Sequence, residues 1–139
     1  MPLRIVLDTN VLVSALKSPH GAPAQLLRHA LTGDPAIVID ERIFAEYREV
    51  AARQRFGFAP ADVERVLSAL RERAEHVTAR PLRIVLPDSG DLPFLEVAVA
   101  ARVSALVTGN PRHFSPVAGR HRVPVRSPRE ILEELGGFG

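Results

Sequence analysis

Short apolar runs, each bounded by polar turn residues and separated by stretches with helical spacing, set the architecture open to this chain. Leu3 to Leu7 ends at Asp8, Ala36 to Ile39 lies between Asp34-Pro35 and Asp40, Ser104 to Val107 ends at Thr108-Gly109-Asn110, and Val123 to Val125 precedes Ser127. None keeps a strict apolar-polar alternation. A strand that is apolar on both faces must be covered on both, which is the condition of a parallel sheet between two layers of helix. The spacing predicts helices over Val11 to Lys17, Ala24 to Leu31, Glu41 to Arg53, Ala61 to Glu75 and Asp91 to Arg102. The helix from Asp91 is apolar on most faces, and its Pro93 is tolerated in the first turn, so it is expected to be buried. Ser127-Pro128-Arg129-Glu130 joins a serine cap, a proline and a glutamate three residues on, which starts a last helix running to about Leu135 before Gly136-Gly137. Between His76 and Leu86 two β-like pieces, Val77-Thr78 and Leu82 to Leu86, compete for a place in the sheet. With 139 residues, 46% of them hydrophobic, and no repeat or linker, one domain over residues 1–139 is expected.

Composition removes several chemistries. There is no cysteine, so disulfides, thiolate zinc sites and cysteine nucleophiles are excluded. Lys17 is the sole lysine and follows no glycine-rich loop, which excludes a phosphate-loop NTPase. A receiver-like phosphoacceptor domain, which needs a lysine after a late strand, is excluded with it. The histidines at 20, 29, 76, 113 and 121 lack paired ligand spacing. Arg4, Asp8 and Asn10 interrupt the apolar opening, so a signal peptide is not expected. No uncharged run reaches the roughly 18 residues that span a bilayer, and the cytoplasm is the expected compartment.

The acids carry more information through their positions than through their number. Asp8 follows the first strand and Asn110 the fourth, in the similar contexts Ile-Val-Leu-Asp-Thr-Asn and Ala-Leu-Val-Thr-Gly-Asn. In open parallel sheets the ligand crevice lies beyond the carboxyl ends of the strands, where strand order reverses. Asp91, with Asp88 three residues before it, opens the buried helix that leads to that same end. On the third helix Ile43, Phe44, Tyr47, Val50 and Ala51 share a face, Glu46 stands at its edge, and Glu41 and Glu49 point away. Converging carboxylates repel one another, and a divalent cation relieves the repulsion. Oxygen ligands without cysteine or paired histidine favour magnesium or manganese over zinc. Plainer roles stand beside these: Asp8 and Asp91 as helix caps, Glu46 as a surface residue lying along an apolar edge. Thr9, Asn10 and Thr108 are placed to orient a carboxylate or phosphate, or simply to hold the strand-end turns.

Val-Leu-Asp-Thr-Asn-Val-Leu-Val-Ser-Ala-Leu at the start, Glu-Tyr-Arg-Glu-Val in the third helix, and Asp-Leu-Pro-Phe-Leu-Glu-Val-Ala followed by Leu-Val-Thr-Gly-Asn resemble PIN-domain proteins. The resemblance runs from Leu3 to Leu135 and is nearest to toxins of toxin-antitoxin pairs, related to VapC ribonucleases. It implies a three-layer α/β/α fold, a five-stranded parallel sheet in the order 3-2-1-4-5, and a magnesium- or manganese-dependent ribonuclease site. The family's first three acids fall on Asp8, Glu46 and Asp91, while its fourth acidic position falls on Asn110. An amide brings no charge and cannot act as a base, so one metal is expected and Asp88 is a partial substitute. The alternative is a module that binds RNA or a partner protein without cutting. The resemblance further implies a cognate antitoxin and a homodimer, for which Leu26, Leu27 and Leu31 offer either a surface or core.

Charge suggests where RNA would lie. Six arginines and no acidic residue fall between Glu96 and Glu130. Of this stretch, Arg112, His113, Arg120 and Arg122 are the expected phosphate contacts, because the loop follows the fourth strand.

Overall fold

The computed structural model describes residues 3–114 and 121–136. In chain order the elements are β1 (Arg4–Leu7), α1 (Thr9–Lys17), α2 (Ala22–Leu31), β2 (Ala36–Ile39), α3 (Glu41–Ala51) and α4 (Pro60–Arg73). There follow β3 (Glu75–His76), α5 (Leu92–Ala101), β4 (Ala105–Val107), β5 (Val125–Arg126) and α6 (Pro128–Glu134). The strands form one parallel sheet in the order β3-β2-β1-β4-β5, with helices layered on both faces. Strand order therefore reverses between β1 and β4, and the crevice at their carboxyl ends is the place such a sheet offers a ligand.

The apolar runs are the core. Ile5, Val6 and Leu7 of β1 and Ala105, Leu106 and Val107 of β4 are buried, as are Ile37, Val38 and Ile39 of β2. Helix α5, apolar on most faces, packs against β1, β2 and β4 and buries Phe94, Leu95, Val97 and Ala98. A helix without a polar face gains by being enclosed, and this one is. Leu26 and Leu27 are buried, and Leu31 is half-buried against the same core. These three leucines serve packing rather than an outer surface. Helix α6 begins with the reciprocal capping box read from Ser127 and Glu130. Among the described residues no helix is long and apolar enough to cross a membrane.

Several boundaries differ from the sequence reading, and those around β3 and β5 change the sheet. Strand β3 is Glu75–His76, earlier than both candidate pieces, and only the Val77 amide continues the ladder, donating to the Ile39 carbonyl at 3.0 Å. Helix α4 ends at Arg73, which frees Glu75 to pair with Arg4 at 2.5 Å across the sheet. Leu82 to Leu86 stays out of the sheet because its first amide is taken. The Leu82 N–H donates to Glu96 Oε2 at 2.6 Å, and the other oxygen of this buried carboxylate receives Arg42 at 2.6 Å. Strand β5 is Val125–Arg126 rather than Val123 to Val125. Pro124 has no N–H to give, and only its carbonyl joins the ladder, accepting from Leu106 at 2.8 Å.

Tyr47 ties α3 to β1. Its side chain is fully buried, its ring lies 6.4 Å from that of Phe94, and its hydroxyl donates to the Leu7 carbonyl. Removing the hydroxyl leaves that carbonyl without its donor at a dry site, a loss of about 1–3 kcal/mol. Tyr47→Phe is expected to lower the urea midpoint accordingly with an unchanged denaturant slope, and an unchanged midpoint would show that the tie carries no stability.

Candidate functional site

Register alone brings the first acid to the crevice. Leu7 of β1 is opposite Val107 of β4, so the next residues, Asp8 and Thr108, leave the sheet side by side. The Asp8 amide donates to the Val107 carbonyl at 2.9 Å, and the Thr108 hydroxyl donates to Asp8 Oδ2 at 2.7 Å. Asp8 Oδ1 accepts the Thr9 amide at 2.8 Å, which makes Asp8 the N-cap of α1 as well. Burial pushes its carboxyl above the usual carboxylate range and Asp88 adds to the rise, while Thr108, Thr9 and His113 pull the other way.

Asp91 closes a single 3-10 turn, Ser89–Asp91, ahead of α5. Its backbone is helical and its side chain makes no capping bond, so capping is not its role. The carboxylate turns inward. Asp91 Oδ2 is buried without a hydrogen-bond partner among the described residues, and His113 Nδ1 lies 3.0 Å from it, close enough for an ion pair when the ring is protonated but not aligned as a hydrogen bond. Burial first, then Asp8 and Asp88, raise the Asp91 carboxyl to about 6, against the opposing pull of His113. Glu46 is half-buried and receives the Thr9 hydroxyl. Glu41 and Glu49 pair instead with Arg71 and Arg53, outward on α3.

These groups share one cavity of about 440 Å³, whose wall includes Asp8, Thr9, Asn10, Glu46, Asp88, Asp91 and His113. Asp88 is exposed there and also accepts the Gly90 amide at 2.9 Å, shaping the turn. Asn10 Oδ1 accepts the Gly109 amide at 3.2 Å, joining α1 to the end of β4. A larger hollow of about 610 Å³ beside α2 is lined by His20, Gln25, Arg28, His29 and Thr32 and has no carboxylate on its wall.

Asn110 stands elsewhere. Its amide N–H binds Thr108 Oγ1 at 3.0 Å, and its side chain lines an adjoining hollow of about 550 Å³ with Gly109, Ser127 and Pro128. The 3-10 turn Pro111–His113 brings His113 to the acid cavity in its place, with Asn110 Nδ2 2.9 Å from His113 Nε2. Asn110 thus reaches the acids at second hand, its side chain through His113 to Asp91 and its backbone amide through Thr108 to Asp8. Arg112 is exposed and absent from the described wall of the cavity. Arg122 lines a different hollow with Arg102 and Val103, at the start of β4 and so at the opposite end of that strand. Arg120 lies outside the described residues.

Four residues that sequence reasoning passed over, Lys17, Arg53, Arg55 and Phe56, also line the acid cavity. The signal was present in Arg-Gln-Arg-Phe-Gly-Phe between the third and fourth helices, where basic and aromatic residues interleave.

Among the described residues no three histidine, aspartate or glutamate side chains are grouped tightly enough to hold a metal ion as they stand. The donor chemistry nonetheless fits a hard divalent cation. Asp8 and Asp91 are both pushed toward the neutral form, and Asp91 keeps a buried oxygen with no hydrogen bond among the described residues.

The raised Asp91 carboxyl has a measurable cost. It binds its proton more tightly folded than unfolded, so its stabilisation is full below the ordinary value of 3.8 and is lost as pH rises through about 6. In metal-free buffer, Asp91→Asn is expected to gain thermal stability relative to the parent as pH rises from about 4 to about 6, and to keep that gain above. Parallel pH profiles for the two proteins would show that ionising this group strains nothing.

Comparison with known proteins agrees with this architecture. A search of the curated proteins finds no match. Among solved structures, the crystal structure of VapBC2 from Rickettsia felis bound to a DNA fragment from its promoter contains a chain of the same fold. The TM-score is 0.62 at 19% identity, over 90% of this chain and 98% of that one. A family model described as PIN domain matches residues 4–112, from the first residue of β1 to the turn after β4. That span holds every acid of the cavity and four of the five strands, and the chain belongs to the PIN-domain family.

Proposed function

We propose that this chain is a ribonuclease that hydrolyses RNA phosphodiester bonds with the help of magnesium or manganese. The observation that supports this most is the joint placement of Asp8, Glu46 and Asp91. They come from three separate elements, line one cavity at the switch point, and leave a buried carboxylate oxygen of Asp91 without a hydrogen bond among the described residues. Asp8, Glu46 and Asp91 would hold the cation, with Asp88 at the exposed edge. When bound, magnesium or manganese supplies charge to the phosphoryl oxygens and acidifies the attacking water.

The chain's own residues do the positioning. Thr108 and the Thr9 amide fix the two oxygens of Asp8, and the Thr9 hydroxyl holds Glu46, so one residue of α1 orients two acids. His113 sits against Asp91 and is held from behind by Asn110. In that role Asn110 is a positioning residue. Its lack of charge favours a second reading, a module that binds RNA or a partner protein and cuts slowly or not at all.

The partners follow by likeness. The Rickettsia structure is of VapBC2 with promoter DNA, and we infer that this chain is the toxin of such a pair, acting in the cytoplasm, inhibited by a cognate antitoxin and able to form a homodimer.

Manganese calorimetry and cleavage of a structured RNA test the central claim together. Asp8→Asn and Asp91→Asn are each expected to abolish the heat of manganese binding and RNA cleavage, and Thr108→Val to weaken manganese affinity by about 10–100-fold. Unchanged manganese binding in both aspartate variants would leave those residues as structural groups only. Asn110→Asp changes charge with almost no change of shape, and cleavage at matched manganese is expected to rise. Equal cleavage by parent and variant would make position 110 dispensable to the chemistry.

A further inference from the structure

The acid cavity has a second, basic wall that nothing in the metal chemistry requires. Lys17 ends α1, Arg53 and Arg55 follow α3, and all three are exposed on the cavity with Phe56. The Lys17 ammonium lies 4.7 Å from the centre of the Phe56 ring and the Arg55 guanidinium 4.8 Å from it. Phe58 stacks on the same ring at 5.6 Å with 11° between the planes. Gly57 between them has a left-handed φ of 66°, which lets the chain double back so that the two rings meet.

Arg53 is paired with Glu49, but among the described residues Lys17 and Arg55 are paired with no carboxylate. They share a cavity with Asp8, Glu46 and Asp91 and form an ion pair with none of them. The electron-rich ring face attracts both cations and restrains two otherwise mobile side chains. Positive wall and negative floor therefore persist side by side. A ligand that suits both must carry several anionic groups in a row, one to meet a divalent cation at the acids and another to meet the ammonium and guanidinium. A single-stranded nucleic-acid backbone has that chemistry, and basic side chains beside aromatic rings are a recurrent way of tracking it.

We infer that Lys17 and Arg55, held on Phe56, bind the backbone phosphate next to the one that is cut. This rests on the nuclease reading above. It also moves the strand away from Arg122, which faces a hollow at the other end of β4.

Anisotropy of a labelled single-stranded RNA of mixed sequence, titrated with the protein in calcium over a range of potassium chloride, tests the assignment. Lys17→Gln/Arg55→Gln is expected to weaken binding at least about fivefold near 0.1 M salt, and, for the loss of one neutralised phosphate, to make the plot of log affinity against log salt shallower by about 0.7. Arg122→Gln is expected to leave both unchanged. Binding by the double variant with the parent's affinity and slope, or an equal loss in Arg122→Gln, overturns the placement while leaving the nuclease reading intact. A parent protein that binds no RNA overturns both. Tighter binding of a poly-glutamate peptide than of RNA, lost in the same double variant, would assign the wall to an acidic protein partner and overturn the proposal.

Discussion

Buried carboxylates that repel one another are the constraint around which this structure is organised. Asp8 and Asp91 share one cavity, burial raises the carboxyl of each, Asp88 adds to both and Asp8 to that of Asp91, and His113 opposes the rise in each. Such a cluster survives because the surrounding fold holds it. Asp8 is fixed by the β1-β4 register and by two donors, Glu46 by a threonine on α1, and α3 is tied to β1 through Tyr47. The apolar core under the site is what makes these attachments stiff, since Leu7, Ile39, Tyr47, Phe94 and Val107 are all buried around it.

The fold was legible because its signals are local. Plain apolar runs specify strands buried on both faces, and caps such as Ser127 with Glu130 specify helix starts. The place of β3 was not legible. Glu75 and His76 look like the end of a helix, and two residues in a parallel edge strand need little intrinsic propensity when Val38 and Ile39 offer their backbone. Leu82 to Leu86 has the composition of a strand but loses its first amide to Glu96, a contact fourteen residues away that no local pattern announces.

At the site, the acids were legible and their supports were not. A residue after a strand at the switch point has to face the crevice, which placed Asp8 and Thr108, and helical spacing brought Glu46 to the border of the buried face. Asn110 shows the limit of that argument. It follows β4 by the same rule, yet its amide bonds back to Thr108 and the chain turns, so His113 is what reaches the cavity. The basic wall was missed for a related reason. Charge counted along the chain pointed to the arginine-rich stretch after β4, whereas Lys17 and Arg55 come from different elements and meet only at Phe56.

The Glu96 contact with Leu82 reaches further than the strand it prevents. From His76 to Ser89 the chain would otherwise be one long excursion, whose closure entropy grows with its length. Pinning Leu82 to α5, with Arg42 of α3 gripping the same carboxylate, divides it into two short arcs. The second arc runs directly into Asp88 and Asp91. The freedom left to those two acids is therefore that of a few tethered residues, so a glutamate at the far side of α5 helps decide how widely the mouth of the cavity can wander.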